Sequence, residues 1–128
     1  MYRVVLAGLS LLIQLQVVTI TTYGINDEFT GQRHAASWHG VTPNDAPETV
    51  DESYMGAASN DFPFGTVLRV TSVAECNGDD QIRRSVEVTV VDRLATPFVG
   101  YVDLWPAAAE QLNMGKDDCA LGYVEVIE

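Results

Sequence analysis

The chain has 128 residues, with 18 acidic side chains against 7 basic ones and a formal net charge of −11. That length supports one domain around one compact core and not two. The acidic balance excludes nucleic acid as a partner, because gripping a phosphate backbone takes clustered Lys and Arg.

The amino terminus reads as a targeting segment. Met1-Tyr2-Arg3 carries one positive charge, Val4 to Val18 is mostly apolar apart from Ser10, Gln14 and Gln16, and Thr19 to Gly24 turns small and polar. This is the layout of a secretory signal peptide over residues 1–24, with cleavage expected near Thr22 to Gly24. A membrane anchor is the competing reading, weakened by two glutamines in a run barely long enough to span. No cysteine precedes Cys76, so a lipid-attachment cysteine is absent from the end of the signal. The expected product is a monomer without stable membrane insertion, secreted or held in the periplasm or cell envelope. In an exported chain the two cysteines, Cys76 and Cys119, are expected to form a disulfide.

Residues 25–33 are polar and aperiodic, a flexible lead-in, and the domain is expected to span 34–128. His34 to Gly40 has the pattern of a first strand entering a turn. His34 and His39 would face opposite sides of such a strand, so they do not suggest a shared metal ion. Val41 to Ser53, which includes Glu48, Asp51 and Glu52, is loop chemistry. Tyr54 to Ser59 is a run of mostly small residues, and Phe62-Pro63-Phe64-Gly65-Thr66 is a turn that presents aromatics. A strand is predicted over 66–75, with Leu68, Val70 and Ser72 on one face and Val67, Arg69, Thr71 and Val73 on the other. Asn77-Gly78 signals a hairpin, with positive φ supplied by both residues. The returning strand, 82–92, puts Val86, Val88 and Val90 towards a core and Glu87 and Thr89 away from it.

That strand ends abruptly on Asp92-Arg93, at a boundary where loops begin and sites are assembled. On pattern alone a strand-ending Asp is equally a turn former or the partner of its neighbouring Arg. Pro106 to Leu112 has a helix pattern, opened by proline and closed by Asn113 and Gly115. Tyr123 to Glu128 alternates again as a final strand. Many short strands with one small helix predict a small all-β barrel.

Taken in order, Ala36-Ser37-Trp38-His39-Gly40, Ala57-Ala58, Phe62 to Thr71, Val90-Val91-Asp92-Arg93, Val102-Asp103-Leu104 and Ala107-Ala108-Ala109 resemble the rare lipoprotein A-like family, and more distantly expansins and barwin-like proteins. The resemblance covers about residues 34 to 127 and implies a six-stranded double-psi β-barrel with one or two short helices. The best-known members of the family are lytic transglycosylases that cleave peptidoglycan glycan strands without a cofactor. It therefore implies a polysaccharide substrate and a groove holding a carboxylate dyad. Asp92 falls on the family's acidic position and is the expected general acid/base, with Glu48 as its charge partner or substrate orienter. Val91 stands where the family has asparagine, and Leu94-Ala95-Thr96 replaces its usual glycine.

Ser59 occupies the position of the family's histidine, and His39 that of its tyrosine. Ser59, Trp38, Arg93 and Phe64 are the expected substrate contacts. Asp103 is expected to be structural, as the cap of the short helix or a turn residue. A serine keeps one hydrogen bond of the lost histidine but carries no charge-bearing proton, so weakened or lost activity is implied. The alternative is a non-catalytic barrel that binds cell-wall polysaccharide or a protein, with Trp38, Phe62, Phe64 and Phe98 as contacts or as packing.

Overall fold

Asn77-Gly78 reverses the chain between a 9-residue and a 13-residue strand, and the rest of the fold is laid out on either side of that hairpin. The structure, a computed structural model, describes residues 2–5, 12–22, 54–94, 99–115 and 118–128. In chain order these form β1 (Tyr2–Val5), β2 (Leu12–Thr22), β3 (Gly56–Ala58), β4 (Val67–Glu75), β5 (Asp80–Asp92), β6 (Tyr101–Leu104), α1 (Pro106–Gln111) and β7 (Ala120–Val126). Neighbouring strands run β1-β2-β6-β3-β5-β4-β7, and a further β2–β7 pairing closes six of them into a ring with β1 outside it. The β2–β6 and β3–β5 pairs are parallel, and the other pairs of the ring are antiparallel. Among the described residues the chain is thus an all-β, six-stranded double-psi barrel with one short helix and one disulfide.

Alternation fills the interior. Leu68 and Val70 of β4, Val86, Val88 and Val90 of β5, Val102 and Leu104 of β6 and Val124 of β7 are buried in one cluster. Glu87 and Arg69 point outward from the same strands, where Arg69 pairs with both Glu87 and Glu125. The two carboxylates raise the Arg69 pKa, chiefly through the hydrogen bonds it donates to them.

The hairpin register, from Val67 opposite Thr89 to Thr71 opposite Ser85, matches the predicted antiparallel pair. The turn itself differs from expectation. Only Gly78 adopts positive φ, at 96°, because Asn77 uses its side-chain oxygen to accept the Asp79 N–H at 2.9 Å. Gly122 of β7 lies so close to the Thr71 carbonyl that an added Cβ would collide with it, where β4 is irregular between Ser72 and Ala74.

The largest departure from the sequence reading is β2. Residues expected to leave with a signal form a strand that pairs in parallel with β6, from Thr19 opposite Tyr101 to Thr22 opposite Leu104. On its other edge it pairs antiparallel with β7, from Gln16 opposite Val124 to Ile20 opposite Ala120. Val18 and Ile20 are 2% and 0% exposed in the barrel core. Barrel order therefore begins by Gln16 rather than near His34, and a cut at Thr22 to Gly24 would remove a ring strand. The physical reason is the pattern V-V-T-I-T-T over 17–22, β-branched and alternating, which satisfies a strand as well as it imitates the end of a signal. The predicted His34–Gly40 strand lies outside the described residues.

The helix is as short as predicted and opens on Pro106. It closes in a Schellman motif: Asn113 takes φ of 58°, its N–H bonds to Glu110 O, and the Met114 N–H reaches back to Ala109 O. The final strand begins at Ala120, three residues before the predicted Tyr123. Cys76 and Cys119 form the expected disulfide, with Cα atoms 5.4 Å apart, tying the hairpin to the start of β7.

Candidate functional site

The shortest strand of the ring positions the site. β3 lies between β5 and β6, and its central residue, Ala57, is paired with Val90 on one side and Leu104 on the other. All three belong to the barrel core. The next residue, Ala58, is paired with Asp92 and with Asp103. Because successive side chains alternate across a strand, Ala58 and both partners face away from the core.

A register shift in the β3–β5 pairing makes this possible. Ala57 is opposite Val90 but Ala58 is opposite Asp92, so Val91 is an extra residue that re-aims the strand's last side chain. Thr21 of β2 extends the same row: it is paired with Asp103, and its Oγ1 donates to Asp103 Oδ1 at 2.7 Å. Thr21, Asp103, Ala58 and Asp92 thus stand side by side on four adjacent strands, with Ala58 and Asp92 buried and Thr21 and Asp103 partly exposed. With strands spaced about 4.8 Å, the two carboxylate-bearing backbones stand roughly 10 Å apart. Asp92 is 5% exposed, whereas Asp103 is partly exposed.

The loop that follows β3 is cross-linked to the ends of β5 and β6. Ser59 N–H donates to Asp92 O at 3.1 Å, and the Leu94 N–H donates to Asn60 Oδ1 at 3.0 Å. Arg93 Nη1 donates to Ser59 O at 2.8 Å and to Phe62 O at 2.9 Å, while its guanidinium lies 3.8 Å from the centre of the Phe64 ring. Asp61 carries the network across to β6, its Oδ2 accepting the Gly100 N–H at 2.7 Å. Beside the row, Trp105 and Tyr54 cover Gly56, ring centroids 5.5 Å apart, so closely that a Cβ there would come within 2.8 Å of each ring.

The structure sorts the predicted residues accordingly. Asp92 is at the end of its strand, as read from the sequence. Its expected partner Glu48 lies outside the described residues, as do Trp38, Phe98, His34 and His39. Ser59, expected to touch substrate, is fully buried, with its hydroxyl accepting the Asp61 N–H at 3.1 Å, an internal turn position. Arg93 and Phe64 meet each other, and the Arg93 contacts brace the loop. Asp103 does not cap the helix: the cap position is Trp105, which makes no side-chain capping bond, and Asp103 sits inside β6. The strand simply runs further than the Val-Asp-Leu motif suggested. Thr21, Tyr54, Asp61 and Tyr101 went unnoticed as site-forming residues, and for Thr21 the alternation of 17–22 was the available signal.

A separate cleft of about 490 Å³ lies at the hairpin end, lined among others by Glu75, Asp80, Arg84, Asn113 and Asp118. None of its lining residues belongs to the Asp92–Asp103 row.

No family model matches the sequence, and no curated protein matches it. Among solved structures the chain is similar to an apo expansin from Clavibacter michiganensis, with a TM-score of 0.52, 18% sequence identity and 90% of this chain covered. The match takes in 51% of that expansin, so the chain spans about half its length. At this identity the likeness is one of fold: a double-psi barrel.

Proposed function

We propose that this barrel acts on cell-wall polysaccharide, cleaving the glycan strands of peptidoglycan by carboxylate acid/base chemistry. The observation that supports it is the row Thr21–Asp103–Ala58–Asp92, which holds two carboxylates, one partly exposed and one buried, on adjacent sides of one small residue. Breaking a glycosidic bond takes an acid to protonate the leaving oxygen and negative charge near an oxocarbenium-like centre. Asp92, the more buried carboxyl, is assigned the acid/base role. It gives its proton to the leaving oxygen as the C–O bond breaks. It then takes a proton from one of the substrate's own hydroxyls as that oxygen closes on the anomeric carbon, so no water is consumed. Asp103, an acceptor from Thr21, supplies the negative charge. Glu48 remains a proposed orienter of substrate. No cofactor enters this chemistry.

The disulfide supports a location outside the reducing cytoplasm, in the cell envelope or beyond it, where such a substrate is found. Ser59 favours a second reading, a barrel that holds glycan without cutting it. Its hydroxyl is engaged by Asp61 and does not replace a proton-carrying histidine. Incubating the purified protein with intact and stem-peptide-free peptidoglycan separates the two. Anhydro-sugar fragments detected by mass spectrometry, and lost in Asp92→Asn, support the lyase. Retention on sacculi with no fragments leaves the binding module.

A further inference from the structure

We infer that Asn77 is a self-modifying site: the Gly78 backbone nitrogen converts its carboxamide to aspartate or isoaspartate, and the hydrogen bond from Gly78 N–H to Glu75 O gates the reaction. This is independent of the polysaccharide reading.

The chemistry needs an asparagine whose neighbour leaves its backbone nitrogen uncrowded. Of the chain's five asparagines, Asn77 alone precedes glycine; Asn26, Asn44 and Asn60 precede Asp, and Asn113 precedes Met. Asn77 and Gly78 are both exposed, and a Cβ built on Gly78 would meet nothing within 4 Å, so the tip has room for a closing ring and for water. The Gly78 nitrogen loses its proton to solvent base and bonds to Asn77 Cγ. The Cγ–Nδ2 bond breaks, Nδ2 takes a proton from solvent, and ammonia departs to leave a cyclic imide. Water then opens the ring at either carbonyl, giving aspartate or isoaspartate.

Asp79 prepares the carboxamide. Its N–H donates to Asn77 Oδ1 at 2.9 Å, where negative charge develops as the nitrogen adds, and its Oδ2 accepts from Asn77 Nδ2, the leaving nitrogen, at 3.2 Å. The nucleophile is withheld. Gly78 N–H donates to Glu75 O at 2.8 Å, inside a tip that the bond from Glu75 N–H to Asp79 O closes at 2.7 Å. The proton leaves only when the Gly78 bond opens, so the reaction runs from the locally opened turn.

The product alters the turn that made it. A carboxylate at position 77 has no hydrogen to give Asp79 Oδ2, and it adds a like charge beside Glu75, Asp79 and Asp80. Isoaspartate also adds a backbone carbon within the reversal, which mismatches the Glu75–Asp79 bond. Glu75, Asn77 and Asp80 line the hairpin-end cleft, so its wall loosens with the tip.

The test ages the full-length, disulfide-intact protein in mildly alkaline heavy-oxygen water, folded and in urea, and follows each asparagine by peptide mass spectrometry. Conversion in the folded protein should occur at Asn77, with label taken up there and Asn60 and Asn113 still amides. It should be slower than in urea by about threefold or more, the scale of one hydrogen bond. The slowing should match, within about threefold, the protection of the Gly78 amide from hydrogen exchange, because both processes wait for the same opening. An Asn77→Asp protein should exchange its Glu75 amide about threefold faster than wild type, with β6 unchanged. Asn77 that stays an amide in urea overturns the site. Equal rates in the folded and unfolded protein beside a protected Gly78 amide overturn the gate. An unchanged Glu75 amide in Asn77→Asp overturns the loosening of the tip.

Discussion

Asp92 and Asp103 are both paired with Ala58, one from each neighbouring strand, so a single buried methyl group stands between two carboxylates on one side of the barrel wall. Only Asp103 reaches that place by ordinary alternation. Asp92 gets there because Val91 is an extra residue in β5, and Asp103 because β6 carries it one position before the strand's last buried leucine. Such a pair is stable only if each charge has partners, and Thr21 is one for Asp103.

The first prediction concerns the division of labour in this row. Asp92→Asn and Asp103→Asn should each lower the initial rate of fragment release by about 100-fold or more, the usual scale for removing an acid/base group or its charge partner. The double variant should be little worse than either, because residues acting as a unit are not additive. Thr21→Val, which removes the donor and keeps the strand's shape, should cost roughly tenfold. An Asp103→Asn protein working at the wild-type rate would return Asp103 to a purely bracing role.

A second prediction follows from β2. Ile20 is completely buried and its strand is paired on both edges. Ile20→Ala should therefore destabilise the barrel by about 2–5 kcal/mol, read from urea denaturation. A chain that begins at Gly24 should lack the cooperative transition altogether, having lost one ring strand and Thr21 together. Intact-mass analysis of the folded protein recovered from its natural source should find Gln16 to Thr22 still present. A cooperative melt from the shortened chain would show that another segment can close the ring.

Much of the barrel was legible from local pattern. The 67–75 and 80–92 strands, their hairpin and the proline-opened helix each carry period, turn or cap signals that stand in a few consecutive residues. β2 was misread because an apolar run beside a positive charge and a β-branched barrel strand share the same composition, and only pairing partners more than 80 residues away distinguish them. The site divides along the same line. Asp92 was visible as a charge ending a strand, but its neighbour on the wall was not. That Asp103 flanks it depends on the register of β3 against two other strands and on a one-residue bulge, neither of which leaves a mark in the sequence.

The third prediction tests the brace behind Asp92. Arg93 satisfies two loop carbonyls with one guanidinium nitrogen and lays its plane on Phe64. A lysine keeps the charge but loses the flat, delocalised group that stacks on the ring. Arg93→Lys should thus leave the barrel strands protected from hydrogen exchange while amides of residues 59–66 exchange faster. The accompanying loss of global stability should be about 1–2 kcal/mol. Uniformly faster exchange in β4 and β5 would instead mean that the loop and barrel unfold as one unit.

The fourth concerns the clamp at the opposite end of the hairpin. Cys76 and Cys119 are 43 residues apart in sequence, and their backbones are already in contact, with Cys76 N–H donating to Cys119 O at 3.1 Å. The bond is therefore not needed to build the local geometry, and its main effect is on the unfolded chain. Closing a loop of this length contributes about 4 kcal/mol in the chain-entropy view. The Cys76→Ser/Cys119→Ser protein should fold to the same barrel and keep its glycan binding at low temperature. Its urea midpoint should fall while the m-value rises, because the unlinked denatured chain exposes more surface. None of the residues in the Asp92–Asp103 row touches the disulfide-lined cleft, so binding and stability should separate in this variant. An unchanged midpoint would mean that the denatured chain is already compact between the two positions, leaving the bond little entropy to remove.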